Sequence, residues 1–467
     1  MSLQTISDFR AAERWLHTLI IDRTPSPDSA ARTPDALLQE RQAGLARLGD
    51  FLGFAGSPQA SFPAIHVAGT SGKGSVVSLI AAILAQAGKR VGQHVSPYLQ
   101  VSSEKLCVNG RRISAPEFIE LVRAFRALHG QWRERAGAGL ALRYGEAWLA
   151  LTFLWLARAQ VDWAVVEAEV GGRYDPSNLL PARLAVITNV ELDHVETLGP
   201  TLADIAHHKA GIIKADQLVV TGVTDPALLR LIEAEAREKA ARLYRLGRDF
   251  DFTLHAVTAH GTRFSVRTPH HVHENLTVAL PGGFQAANAA LAVTAVDVLA
   301  AECGFGVTPD MLRTALLEVR FPGRMEIVQR EPVVILDGAH NPHKMTALAA
   351  TLQALYPGRP LIVVIGVLAA KDATAMLAAL APLAPRWIVT QPHVLGKPPL
   401  PPAELAAAIR RLTPHAEIET SDRVGTGIAR ALQLAELDTV VLVTGSLYML
   451  GEARNRWVSP DDLILGS

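Results

Sequence analysis

Two hydrophobic rhythms alternate along this chain. Short runs in which nearly every position is apolar are followed by stretches with apolar residues three and four apart. The runs ending at Val67, then at 161–167 (VDWAVVE), 184–189 (LAVITN) and 217–221 (QLVVT), predict strands. Unbroken apolar runs between helical segments mark parallel strands covered on both faces. Residues 250–280 instead alternate polar and apolar positions and predict a small antiparallel patch, followed by a helix from about 285 (QAANAALAVTAVDVLA). The first rhythm restarts after RFPGRME at 320–326, with strands expected at 332–336 (PVVIL), 361–365 (LIVVI), 387–390 (WIVT) and 439–443 (TVVLV). The expected fold class is therefore α/β in two domains, 1–320 and 321–467, with the Pro-Gly pair near Phe321 in the hinge. Residues 5–52 read as helices interrupted by a Pro- and Ser-rich loop at 23–35. The apolar stretch at 147–157 (AWLALTFLWLA) is too short to span a bilayer and reads as a buried helix.

The first of these strands runs into HVAGTSGKGS at 66–75, and that into a helical pattern, VVSLIAAILAQAG. Strand, glycine-rich turn and helix together make a phosphate cradle. Gly69, Gly72 and Gly74 permit positive φ and close backbone approach. The helix N-terminus presents amides and a positive dipole end, and Lys73 supplies a point charge. The strict spacing of a P-loop is not met, since Val67 stands where its first glycine belongs and Gly74 follows the lysine, which leaves Ser75 to hold a magnesium ion. Further polar residues fall at the carboxyl ends of the predicted strands, where open parallel sheets bind ligands. Glu167 ends one and His194 follows another, with Lys209 in the next helix. Ser75, Glu167 and His194 offer a hydroxyl, a carboxylate and an imidazole to Mg²⁺ beside a nucleotide.

Composition narrows the class. Lys plus Arg and Asp plus Glu each number 45 among 467 residues, so no global field favours nucleic acid or an acidic membrane. Cys107 and Cys303 form no ligand-spaced cluster, which argues against a disulfide framework or zinc site and fits a reducing cytoplasm. The start, MSLQTISDFRAAERWL, lacks the basic-then-apolar order of a signal peptide. His271 and His273 in PHHVHE lack a third ligand and read as part of an exposed hairpin.

Nine motifs occur in an order that resembles the folylpolyglutamate synthase/dihydrofolate synthase branch of the Mur ligases. They are HVAGTSGKGS, SPYL at 96–99, EVGGRYDPSN at 169–178, LDHVETLG at 192–199, HKAGIIK at 208–214, FQAANAALA at 284–292, PGRME at 322–326, LDGAHNPH at 336–343 and TGSLY at 444–448. The resemblance covers nearly the whole chain. It implies a P-loop-containing N-terminal domain with a mostly parallel sheet and a C-terminal Rossmann-like domain. It also implies an ATP-dependent ligase that joins L-glutamate to dihydropteroate, a reduced folate or both, through an acyl phosphate. By resemblance, Gly69, Thr70, Ser71, Gly72, Lys73, Gly74 and Ser75 cradle ATP, with Gln285, Asn288 and Arg324 beside it. Ser75 and Glu167 match the ligands of one Mg²⁺, and His194 matches a ligand of a second. Lys209 matches the family's carbamylated lysine. Asp337, His340 and Asn341 are implied to reach across a cleft to ATP and glutamate, with Asp175, Asn341 and Ser446 on the substrate side. A monomer is implied as well.

Three positions depart from the family pattern. Ser71 replaces an asparagine, Glu169 a glycine and Ala370 an aspartate, and Glu169 leaves the choice of metal carboxylate open between itself and Glu167. Two other functions compete. A cell-wall Mur ligase carries a sugar-nucleotide domain before the loop, for which the 68 residues preceding Gly69 leave little room. A non-catalytic binding paralogue has no need of Lys73, Ser75, Glu167, His194 and Lys209 together.

Overall fold

A computed structural model describes residues 3–20, 34–137, 140–383 and 385–466. Most of the predicted loop at 23–35 lies outside them. The runs expected to be strands form two sheets. In the first, the order is Arg111–Arg112, Cys107–Val108, Val91–His94, Trp163–Glu167, Ala64–Ala68, Ala182–Ile187, Leu218–Thr221 and Arg242–Arg245. The six strands from Val91–His94 onward are parallel, and the short hairpin at the other edge is antiparallel.

Both faces of this sheet are covered, which is why its central strands are apolar throughout. Ile65 and Val67 turn toward helices Lys73–Gln86, Gly283–Cys303 and Pro309–Glu318, while Ala64 turns to the opposite face, toward helices Ala115–Ala136 and Tyr144–Arg158. The stretch at 147–157 is inside this second group, with Trp148 and Phe153 fully buried. Residues 251–278 form the expected antiparallel patch, ordered Val272–Val278, Gly261–Arg267, Asp251–Thr258, and it buries Phe264, Leu276 and Val278 against helix Gly283–Cys303. That helix is long and apolar enough to cross a membrane, but most of it is packed inside the protein.

The second sheet begins at Glu326. Its order is Glu326–Arg330, Val333–Leu336, Val440–Thr444, Leu361–Ile365, Arg386–Val389 and Ile418–Thr420, with only the first strand antiparallel to its neighbour. Its helices lie on both faces, as the doubly wound pattern demands. The chain crosses between the two sheets twice. After the outward crossing at 319–325, the C-terminal helix Pro460–Leu465 returns to the first lobe and places Ile464, fully buried, in the same cluster as Phe9 and Phe118. Arg112 Nη2 donates to Leu463 O at 3.0 Å there. The loop after Val91–His94 also touches the second lobe, where Leu99 joins its apolar cluster and Gln100 Nε2 donates to Asn455 Oδ1 at 2.9 Å.

Candidate active site

The carboxyl ends of both sheets face one cavity of about 400 Å³. Residues 69–75 form its floor, and every glycine in this loop is confined. A Cβ on Gly69, at φ 149°, would fall 1.8 Å from Thr188 Oγ1; one on Gly72, at φ 81°, would fall 2.2 Å from Asn288 Oδ1; one on Gly74 would fall 2.4 Å from Phe321 Cζ. Gly72 caps helix Lys73–Gln86 without a side-chain hydrogen bond, so the amides of the first turn face the cavity uncovered. The loop is held from behind. Thr188 Oγ1 donates to Ser71 O at 2.6 Å, and Thr70 and Ser71 N–H donate to Asn189 Oδ1 at 3.1 and 2.8 Å. Ser71, which stands in place of the family's asparagine, contributes its hydroxyl to Glu191 Oε2 at 3.4 Å.

Beside the loop, Lys73 Nζ lies 3.7 Å from Glu167 Oε1, and Ser96 N–H donates to Glu167 Oε2 at 3.3 Å. Glu167 and Ser75 are both buried and line the cavity. Burial pushes the Glu167 pKa up, against the pull of Lys73. Glu169 also lines the cavity but is exposed. Of the two carboxylates that the sequence left open, Glu167 is the one beside Lys73.

Asp175 is not in the cavity wall. It caps the turn Pro176–Leu179, its Oδ1 accepting from Ser177 N at 3.0 Å and its Oδ2 from Val170 N at 2.9 Å, so it shapes the loop that carries Glu169. Gln285 is likewise behind the wall. Its Oε1 accepts from Asn288 Nδ2 at 2.9 Å, and Asn288 faces the cavity.

The opposite wall joins the two lobes. Asp193 Oδ1 accepts from Lys371 Nζ at 2.6 Å, and Asp193 Oδ2 from Asn341 Nδ2 at 3.2 Å. Burial opposes the Asp193 charge, but His194, Lys371 and Lys344 outweigh it and hold its pKa below the usual range. His194, in the left-handed region at φ 53°, has its pKa pushed down to about 4 by burial. Lys209 lines the cavity, is 2 % exposed, and makes no side-chain hydrogen bond or ion pair among the described residues. Burial, reinforced by Lys73, pushes its pKa far down, so it favours the neutral amine.

Asp337, Arg324 and His340 line the cavity together. Asp337 Oδ2 accepts from Met325 N and Oδ1 from Ala339 N, each at 2.8 Å, and Arg324 stacks on Phe321 with 5.4 Å to the ring centroid. His340 Nδ1 donates to Gly338 O at 2.7 Å. Asn341 caps helix Pro342–Leu355 by accepting from Lys344 N at 2.9 Å, and Ser446 caps Leu447–Arg454. Ala370 is exposed, and the neighbouring Lys371 makes the contact between lobes. His271 is not in the cavity wall; its Nδ1 lies 2.6 Å from Asp297 Oδ1 on helix Gly283–Cys303. Sequence reasoning missed Asp193 and Lys344. Both sit inside quoted motifs or next to them, but a motif does not say which of its charges will face another lobe.

A family model described as the Mur ligase middle domain matches residues 145–296, and one for the Mur ligase glutamate ligase domain matches 323–447. A Bacillus subtilis dihydrofolate synthase/folylpolyglutamate synthase is 33% identical, over 88% of this chain and 94% of its own. This chain belongs to the folylpolyglutamate synthase/dihydrofolate synthase family. Two solved members have the same fold. Mycobacterium tuberculosis folylpolyglutamate synthase complexed with ADP superposes with a TM-score of 0.87 at 30% identity, covering 97% of this chain and 99% of its own. Escherichia coli FolC in complex with DHPP and ADP gives 0.78 at 27% identity, covering 95% and 97%.

Proposed function

We propose that this protein is an ATP-dependent ligase that adds L-glutamate to dihydropteroate, a reduced folate or both, releasing ADP and phosphate. The observation that carries the reading is one cavity, shared by two lobes, in which Lys73, Arg324, Lys344 and Lys371 gather beside an uncapped helix N-terminus. Such a concentration of positive charge suits a polyphosphate. The junction of the two domains, on this reading, falls near Phe321.

The chemistry follows in two steps. A substrate carboxylate oxygen bonds to the terminal phosphorus of ATP as the bond to ADP breaks, giving an acyl phosphate. The glutamate amine then attacks the acyl carbon, loses a proton, and expels phosphate to leave an amide. The loop amides and Lys73 hold the phosphates throughout. Asp193, Lys371 and Asn341 pin the lobes together, which excludes water that would hydrolyse the acyl phosphate.

Magnesium fits the residues present. Among the described residues no cluster of three His, Cys, Asp or Glu exists, and Mg²⁺ commonly takes one or two protein ligands with phosphates and water. Ser75 and Glu167 would hold one ion. His194, kept neutral by burial, would serve a second together with Lys209. When bound, the ions neutralise charge on the phosphates. A neutral amine is the form that adds CO₂, losing a proton to become a carbamate, and the downward shift of the Lys209 pKa by burial supports the same modification here. The unpaired Cys107 and Cys303 suit a reducing cytoplasm, and we read the enzyme as a monomer.

The test is phosphate release from ATP, expected only when glutamate and a pteroate acid are both supplied. Release that ignores either substrate removes the ligase assignment. Parallel assays with dihydropteroate and tetrahydrofolate separate the two acceptors.

A further inference from the structure

The scheme above gives Lys344 only a share in the cavity's positive charge, yet its position is costly. It is the third residue of helix Pro342–Leu355, at the end where the dipole disfavours a cation. Its Nζ lies 3.0 Å from His340 Nε2, and among the described residues no carboxylate is within ion-pair distance. Since His340 Nδ1 donates to Gly338 O, Nε2 is an acceptor and fixes the direction of the ammonium. Asp193, the acid that favours its charge, is already held by Lys371 and Asn341. Lys73 from the loop, Arg324 from the crossing and Lys371 from the second lobe all oppose it. Glu167, Asp337, His194, Lys209 and His343 stand at longer range around it. Burial and the three cations push its pKa down to about 7. Among the described residues no carboxylate pairs with this charge directly; a bound polyanion would.

We propose that Lys344 is a catalytic residue that holds the terminal phosphoryl group of the nucleoside triphosphate from the side opposite Lys73 and neutralises it during transfer. The proposal rests on the ligase reading. Lys344 keeps its proton throughout: the carboxylate oxygen bonds to phosphorus, and the departing electron pair stays on ADP. The bound triphosphate stabilises the ammonium, so the lysine is charged in the complex even where it is half neutral beforehand.

The experiment uses the full chain with ADP and a non-hydrolysable triphosphate, with Mg²⁺ present. Lys344→Met is expected to weaken the triphosphate analogue about tenfold and ADP by less than about threefold, because a charged hydrogen bond to the terminal group is lost. Turnover in that variant falls about 100-fold, and Lys344→Arg restores most of it. In the wild type, kcat/KM for ATP declines above pH 7 as the free lysine loses its proton, and in Lys344→Arg that decline disappears. Equal losses for the two nucleotides, an arginine variant as poor as methionine, or unchanged pH profiles each overturn the proposal. A wild type that binds neither nucleotide overturns the ligase reading along with it, whereas normal turnover in Lys344→Met overturns this proposal alone.

Discussion

Two strand-to-helix turns face each other across the cavity, and they receive an anion in opposite ways. The turn at 69–75 leaves its helix uncapped, with Gly72 at the N-cap, so bare amides are the binding surface. The turn at 337–344 closes its helix with Asn341, which consumes the Lys344 amide, and presents the Lys344 ammonium instead. Backbone amides cannot be moved or discharged. A side-chain cation can be both, and Lys344 comes from the lobe that follows second in the chain. A rigid cradle on one side and a titratable clamp on the other is what the difference amounts to.

Substitutions that break one turn at a time separate these two modes. The largest effect is expected from Gly72→Ala, since the backbone sits at φ 81° and the new Cβ would meet Asn288 Oδ1 at 2.2 Å. ADP binding, measured calorimetrically, should be lost; affinity within about threefold of wild type would show that the cradle does not need this shape. Asn341→Ala is a smaller break. It removes a cap, at about 1 kcal/mol, and one of the two bonds that reach Asp193 from the second lobe, so the melting temperature should fall by a few degrees while ADP affinity changes little. An unchanged melting temperature would mean that the cap contributes nothing.

The smallest effect concerns pH. Lys344 has a folded pKa of about 7, below the 10.5 of the unfolded chain, so between those values the unfolded state binds more protons. Stability of the ligand-free protein should therefore rise as pH increases from 7 toward 9, and Lys344→Met should flatten that slope. A saturating non-hydrolysable triphosphate, which favours the charged form, should flatten it as well. A wild-type slope identical to that of the methionine variant would leave the clamp without its unpaired charge.

The same contrast explains what could be read from the chain. The cradle is written in ten consecutive residues, and its glycines, lysine and following apolar helix are visible together. Strand Leu361–Ile365 is legible for the same reason, being five apolar residues in a row. Val91–His94 carries a glycine and two polar residues, and its place in the sheet depends on Gly92 fitting against Leu156, where a Cβ would come within 2.3 Å. Edge strands such as Ile418–Thr420 are too short and polar to show a period. The clamp is harder still. Asp193 and Lys371 are separated by 178 positions and Asp193 and Asn341 by 148, so their meeting is a property of how two sheets face each other. Asp175 shows the converse, a carboxylate inside a matched motif whose work is to cap a turn.

The returning C-terminal helix has a further consequence. With Ile464 sunk into the first lobe and the outward crossing at 319–325, the second lobe is tied to the first at both of its ends, and the loop carrying Leu99 and Gln100 braces it between them. Tethering at both ends limits how far that lobe can drift, which keeps the edge carrying Lys371 and Asn341 in register with Asp193.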